Sequence, residues 1–184
     1  MKIIPLARTA LLLISSAVFI LSLSACASSK QAPLATVSSV DLARYQGKWY
    51  QVALLPNRFQ AMCVADTQAE YQPDADAIHV INRCRKIDGS IEIAEGVAKV
   101  VPESGNSKLR VSFFRPFYGN YWILALDPNY QWVLVGEPGR KYGWVLSRTA
   151  VLPAATLNTI LDKAASLGYQ RSDFHLSPQT TPLD

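Results

Sequence analysis

The sequence predicts an all-β protein, an eight-stranded antiparallel up-and-down barrel with one C-terminal helix packed outside it. Three observations carry this. Eight β-favouring runs recur at short intervals, each closed by Pro, Gly, Asn or Asp. The connections are too short for crossovers, so each run pairs with its sequence neighbour. Only one stretch, near the end, repeats apolar residues at helical spacing. A meander of this size closes on itself and so removes its edges.

The runs follow in order. Gly47-Lys48-Trp49-Tyr50 opens the first, Lys48–Leu55, which Pro56-Asn57 ends. Gly47 permits a sharp entry, and Trp49 places a large ring near the start of the strand. Val64–Tyr71 closes at Pro73-Asp74-Ala75-Asp76, where two carboxylates are ordinary turn residues. Ala77–Cys84 leads to Asp88-Gly89, and Ser90–Val101 ends at Pro102 and a loop to Ser107. Lys108–Phe114 precedes Arg115-Pro116, and Gly119–Leu126 precedes Asp127-Pro128-Asn129. Tyr130–Gly136 and Tyr142–Arg148 complete the set, separated by Glu137-Pro138-Gly139-Arg140. Pro153 then suits a first helical turn, Leu157, Ile160, Leu161 and Ala164 share a face, and Gly168 stops it.

The N-terminus is not fold material. Lys2 and Arg8 form a positive region, Ala10 to Leu21 an apolar one, and Leu23-Ser24-Ala25-Cys26 the end of a secretory signal. That ending is similar to a bacterial lipobox, which implies cleavage before Cys26 and attachment of acyl chains to that residue. The apolar run is short of the ~20 residues a span needs. In bacterial lipoproteins Asp after the Cys favours inner-membrane retention; Ala27 implies the outer membrane. The division is then a signal peptide over 1–25, a lipidated flexible tether over 26–40, a barrel domain over 41–176 and a frayed tail over 177–184.

Charge and composition exclude several functions. The formal charge is +4, and removing Lys2 and Arg8 leaves +2, too little to argue for nucleic acid. The two histidines, His79 and His175, have no partners at metal-ligand spacing, so no metal and no cofactor is expected. No phosphate loop and no nucleophile elbow occurs. With Cys26 acylated, Cys63 and Cys84 remain. An even pair in an oxidising compartment predicts a disulfide. If Gln72 pairs with Ala77, Cys84 faces Ala65, and a bulge or another turn length brings the sulfurs together. The alternative is a free Cys63 thiolate poised as a nucleophile.

Gly47-x-Trp49-Tyr50, Asp127-x-x-Tyr130 and Leu146-Ser147-Arg148-Thr149, in that order around eight strands and before a helix, resemble the lipocalins. Val111-Ser112-Phe113-Phe114, Pro116-Phe117-Tyr118-Gly119 and Ala125-Leu126-Asp127 are similar to the bacterial members, outer-membrane lipoproteins akin to apolipoprotein D. The likeness covers about Val40 to Phe174. It implies Arg148 packed over Trp49 at a closed end, an interior cavity for lipid, and Tyr118 and Trp144 in that cavity. Phe114, Arg115 and Trp132 join them as expected ligand contacts, with Gly47, Asp127 and Tyr130 structural. Catalytic residues are not expected; the alternative that the resemblance implies is a lipocalin-type isomerase with Cys63 as nucleophile. The expected function is binding, storage or transport of fatty acids or lysophospholipids at the outer membrane, on its periplasmic side; a barrel filled by its own side chains and acting through protein contacts is a third reading.

The meander also polarises charge. If the first strand starts at the closed end, the open-end segments hold Arg58, Arg85, Lys86, Arg115, Arg140 and Lys141 against Asp88 and Glu137, a net +4. The closed-end segments hold Lys108 against Asp74, Asp76, Glu103 and Asp127, a net −3. A positive mouth favours an anionic ligand.

Overall fold

Alternating inward and outward side chains build eight long strands: β1 (Gly47–Leu54), β2 (Cys63–Asp74), β3 (Ala77–Lys86), β4 (Ile91–Val100), β5 (Lys108–Phe114), β6 (Phe117–Leu126), β7 (Trp132–Gly136) and β8 (Gly143–Ser147). The structure is a computed structural model that describes residues 32–181 and 183. The expected signal peptide and the acylated Cys26 lie outside the described residues. Neighbouring strands pair antiparallel in sequence order, and β1 pairs with both β8 and β2, which closes the barrel. A short helix, α1 (Leu42–Tyr45), precedes β1, and α2 (Ala154–Ser166) follows β8. A two-residue strand, β9 (His175–Leu176), adds to β1 beside Ala53 and Leu54.

Two apolar clusters fix which face is inside. One contains Trp49, Ala69, Val80, Ala98, Leu109, Ile123, Val133 and Leu146, at least one residue from every strand of the barrel. Only the lumen touches all eight strands. The other joins Ile160, Leu161 and Ala164 of α2 to Val52, Leu124, Leu134 and Val145 on the outer face. Successive residues of β7 therefore serve different cores, Val133 and Val135 inside and Leu134 outside.

The turn between β2 and β3 is tighter than expected. Asp74 pairs with Ala77, and Ala75 takes a positive φ of 42°. Gln72 consequently faces His79 rather than Ala77. Continued without interruption, that register would set Cys84 opposite Thr67, far from Cys63. Two slips, between Cys63 and Ala65 and between Ala65 and Gln68, shift β2 along β3. They bring the two cysteines to a Cα separation of 5.5 Å, and the disulfide forms. Closing that loop, which spans 21 residues of sequence separation, contributes about 3 kcal/mol in the chain-entropy model.

Both chain ends depart from expectation. The stretch 32–40 is not a free tether: Leu34 and Val40 are buried, the Val37 N–H donates to Ile123 O, and the Val40 N–H donates to Gly105 O. Nor are residues 177–181 a frayed tail. β1 and β2 pair only from Gly47 to Tyr50, and above that they separate. The tail occupies the gap. Ser177 N–H donates to Val52 O, Asp66 N–H donates to Pro178 O, and the Gln179 amide bridges Gln51 O on β1 to Thr67 O on β2. Unpaired strand edges are costly when covered, so backbone groups from the tail replace the missing ladder.

Asp66 is the tail's anchor. Its carboxylate is 1% exposed, receives a bond from Arg85 Nε at 2.7 Å, and accepts from the N–H groups of Thr180 and Thr181. Burial pushes its pKa up, but Arg85 and the threonine donors outweigh burial and hold it at about 2. A depressed carboxylate stabilises the fold above its unfolded pKa and loses that contribution as pH falls through the folded one. Asp66→Asn should therefore cost about 2 kcal/mol in urea unfolding at pH 7. The difference from the parent should shrink below about pH 4 and vanish below about pH 2. A gap that persists unchanged at acid pH would contradict this role.

Candidate functional site

The barrel floor is built from α1, β1 and the chain just after β8. Asp41 caps α1 by accepting from the Ala43 and Arg44 N–H groups. Gly47 then turns into β1 with φ 86°, beside Arg148. Trp49 is 0% exposed, and its indole N–H donates to Tyr45 O at 2.8 Å. The Arg148 guanidinium lies 3.8 Å above the ring centroid and donates to Lys48 O and Arg44 O at 2.8 and 2.7 Å. Asp127 shapes the adjacent turn by accepting from Asn129 and Gln131 N–H, and Tyr130 takes a φ of 60° there. The residues expected at the closed end are thus brought together.

Above the indole sits a tyrosine cluster that the sequence reading missed. Tyr121 OH lies 2.7 Å from both Tyr45 OH and Tyr71 OH. Burial pushes all three up: Tyr71 to about 12, Tyr45 and Tyr121 well above the ordinary value. The lumen is therefore neutral at its base. Alternation put Tyr71 and Tyr121 on the inward face, and that was the available signal.

The lumen loosens toward the mouth. Small inward residues Ala94, Gly96 and Ala98 line β4. A Cβ on Gly96 would sit 2.6 Å from Ser112 O and 2.8 Å from the Phe113 ring, so this approach requires glycine. Across the lumen, Trp144 stacks with Tyr142 at 6.2 Å and donates its indole N–H to Gln60 Oε1 at 2.8 Å. Gln60 in turn donates to Gln51, and Gln51 to Ser177 in the tail. That amide chain fixes Trp144 at the rim.

The five expected ligand contacts do not converge. Trp144 faces the lumen. Trp132 belongs to the outer cluster beneath α2, because its strand alternates in the opposite phase to the one assumed. Tyr118 lies on the outer face under Arg110, whose guanidinium is 5.7 Å from its ring. Phe114 is 78% exposed at the rim. Arg115 borders a cleft of about 210 Å³ with His79, Glu95, Ser112 and Phe113. This cleft opens where the β4–β5 ladder ends, at Val97 and Ser112. A smaller cavity of about 80 Å³ lies in the β1–β2 gap, against Cys63, Gln60 and the tail. The Cys63–Cys84 disulfide leaves no thiolate for the isomerase reading. Among the described residues, no three His, Cys, Asp or Glu side chains gather as metal ligands.

A closed antiparallel eight-stranded barrel with a capped floor, an open mouth and one outer helix is an up-and-down barrel of the size that either fills with side chains or holds one small ligand. Comparisons with known proteins agree. A family profile described as a lipocalin-like domain matches residues 40–179. Temperature-induced lipocalin-1 of Arabidopsis thaliana is 39% identical over 153 residues, 78% of this chain and 82% of that protein. The outer membrane lipoprotein Blc of Escherichia coli K12 is 35% identical over 139 residues, 75% and 78% of the two chains. Among solved structures, insecticyanin of the tobacco hornworm Manduca sexta superposes with a TM-score of 0.66 at 22% identity, covering 80% of this chain and 85% of that one. The chain belongs to the lipocalin family.

The tyrosine cluster gives a direct check on the floor. A group whose pKa is raised on folding contributes stability that is full below its unfolded value and is lost as pH rises through the folded one. Of the eight tyrosines, Tyr45, Tyr71 and Tyr121 should ionise only on unfolding, above about pH 12 for Tyr71. Absorbance titration near 295 nm should show them as a late, cooperative step. Full ionisation in a folded protein near pH 10 would contradict the buried network.

Proposed function

We propose that this lipocalin binds and carries a single-chain lipid, a fatty acid or lysophospholipid, in the lumen of its barrel, and that acylated Cys26 holds it at the outer membrane on the periplasmic side. The observation that carries the reading is the asymmetry of the barrel. Trp49 and three tyrosines seal one end, while Trp144 and the small residues of β4 line the other, which opens between loops bearing Arg58, Arg115 and Lys141. An acyl chain suits the apolar walls, and an anionic head group suits the charged rim. The name outer membrane lipoprotein carried by the bacterial relatives supports the location. Binding rather than catalysis is proposed, because Cys63 is held in a disulfide.

The test is a binding series at one chain length: fatty acid, its methyl ester and a lysophospholipid. At low salt the charged ligands should bind about ten-fold tighter than the ester, and high salt should narrow the gap. Equal affinities at all salt concentrations would reject the charged mouth. Native mass spectrometry of protein extracted from membranes should show one bound lipid; a barrel consistently empty would favour the filled-interior alternative.

A further inference from the structure

The distribution of exposed apolar side chains is uneven. Ten large hydrophobic residues are exposed among those described, and nine lie in the half of the barrel nearest the open end, leaving only Val151 toward the floor. Five of the nine sit in loops or immediately beside them. Phe59 and Met62 flank the β1–β2 connection, Ile87 is 89% exposed in the β3–β4 turn, and Phe117 is 77% exposed after Arg115-Pro116. Phe114, 78% exposed, lies on the other side of that turn. Scattered single hydrophobic residues are ordinary, but a ring of them around one opening is not.

Charge accompanies the ring. Among the described residues, Arg58, Arg115 and Lys141 form no ion pair, and each stands in an open-end loop. Aromatic and aliphatic tips interspersed with unpaired cations match an interface of acyl chains below and anionic head groups above. The turns at the floor carry Asp76, Glu103 and Asp127 instead, which the same surface would repel.

The path of the chain points the same way. Arg140, in the β7–β8 loop at the mouth, donates to Ala32 O, and from there the segment descends the outside of the barrel to Val40 beside Gly105 at the floor. The described chain therefore enters at the open end. Five residues separate Cys26 from Ala32, and the six steps between them span about 20 Å at full extension.

We propose that the open rim of the barrel docks on an anionic lipid surface, so that the mouth faces the membrane to which the chain is tethered. The tether argument rests on acylation of Cys26; the apolar and charged rim does not. Such docking lets an acyl chain pass between bilayer and lumen without crossing water.

The test uses the full chain, expressed and processed in a bacterium with an outer membrane. A photoreactive p-benzoylphenylalanine replaces Ile87 or Phe114 at the rim, or Asp76 or Asn129 at the floor, all exposed positions. After irradiation, rim positions should yield phospholipid adducts at least about five-fold more often than floor positions, with anionic lipids enriched over their share of the bilayer. In a background of Arg58→Glu and Arg115→Glu that enrichment should disappear. Equal labelling at both ends, adducts to protein instead of lipid at the rim, or no lipid adducts at all would overturn the proposal. The N-terminal peptide of the same sample reports acylation separately. An acylated peptide without rim adducts refutes the docking alone. Rim adducts with an unmodified Cys26 refute the anchor alone.

Discussion

The contact between Arg148 and Trp49 is the constraint on which the barrel depends. Closing eight strands requires the first and last to meet, and their meeting leaves a large ring at one end of the lumen. Arg148 covers that ring at 3.8 Å and spends its donors on carbonyls of α1, of β1 and of the turn before β7. Burial pulls its pKa down and Tyr45 opposes this, yet a guanidinium keeps its charge through such shifts. Arginine suits the position because its flat cation can stack on the indole while its edge bonds to backbone. The stack also settles direction: with the floor fixed, alternation decides which residues face the lumen along every strand.

Tightness at the floor contrasts with looseness at the rim. At the base, hydroxyls, indole and backbone carbonyls satisfy one another in a dry space. Toward the mouth, β1 parts from β2 and β4 from β5. One seam is filled by the tail through Asp66 and Gln179, and the other remains as the cleft beside Arg115. Apolar exposure collects at this same end. Closure and exposure are therefore divided along the barrel axis, with a packed, hydrogen-bonded floor below and exposed apolar side chains above.

Much of this was legible in the sequence. Strand number, order and approximate limits followed from Pro and Gly punctuation, and the floor followed from the lipocalin resemblance that Gly47, Trp49, Asp127 and Arg148 carry. The side of the sheet was harder where both faces are covered. β7 reads Trp132-Val133-Leu134-Val135, a continuous apolar run, because the lumen takes one phase and α2 the other. Periodicity carries no phase in such a strand, and Trp132 was assigned to the lumen when it packs under the helix. The disulfide depended on two register slips in β2 that no residue pattern announces. The docked tail was invisible for a different reason. Ser177, Gln179, Thr180 and Thr181 bind through polar contacts to individual groups rather than through a periodic face.

The most direct measurement of the central claim is a double-mutant cycle between Trp49 and Arg148, read by urea unfolding. Trp49→Ala should cost about 3–5 kcal/mol, as for other buried tryptophans. Arg148→Ala should cost less by itself, and the two changes together should fall short of their sum by about 1 kcal/mol or more, the signature of a shared contact. A loss below about 1 kcal/mol for Trp49→Ala, or additivity within about 0.3 kcal/mol, would contradict a floor organised by this pair.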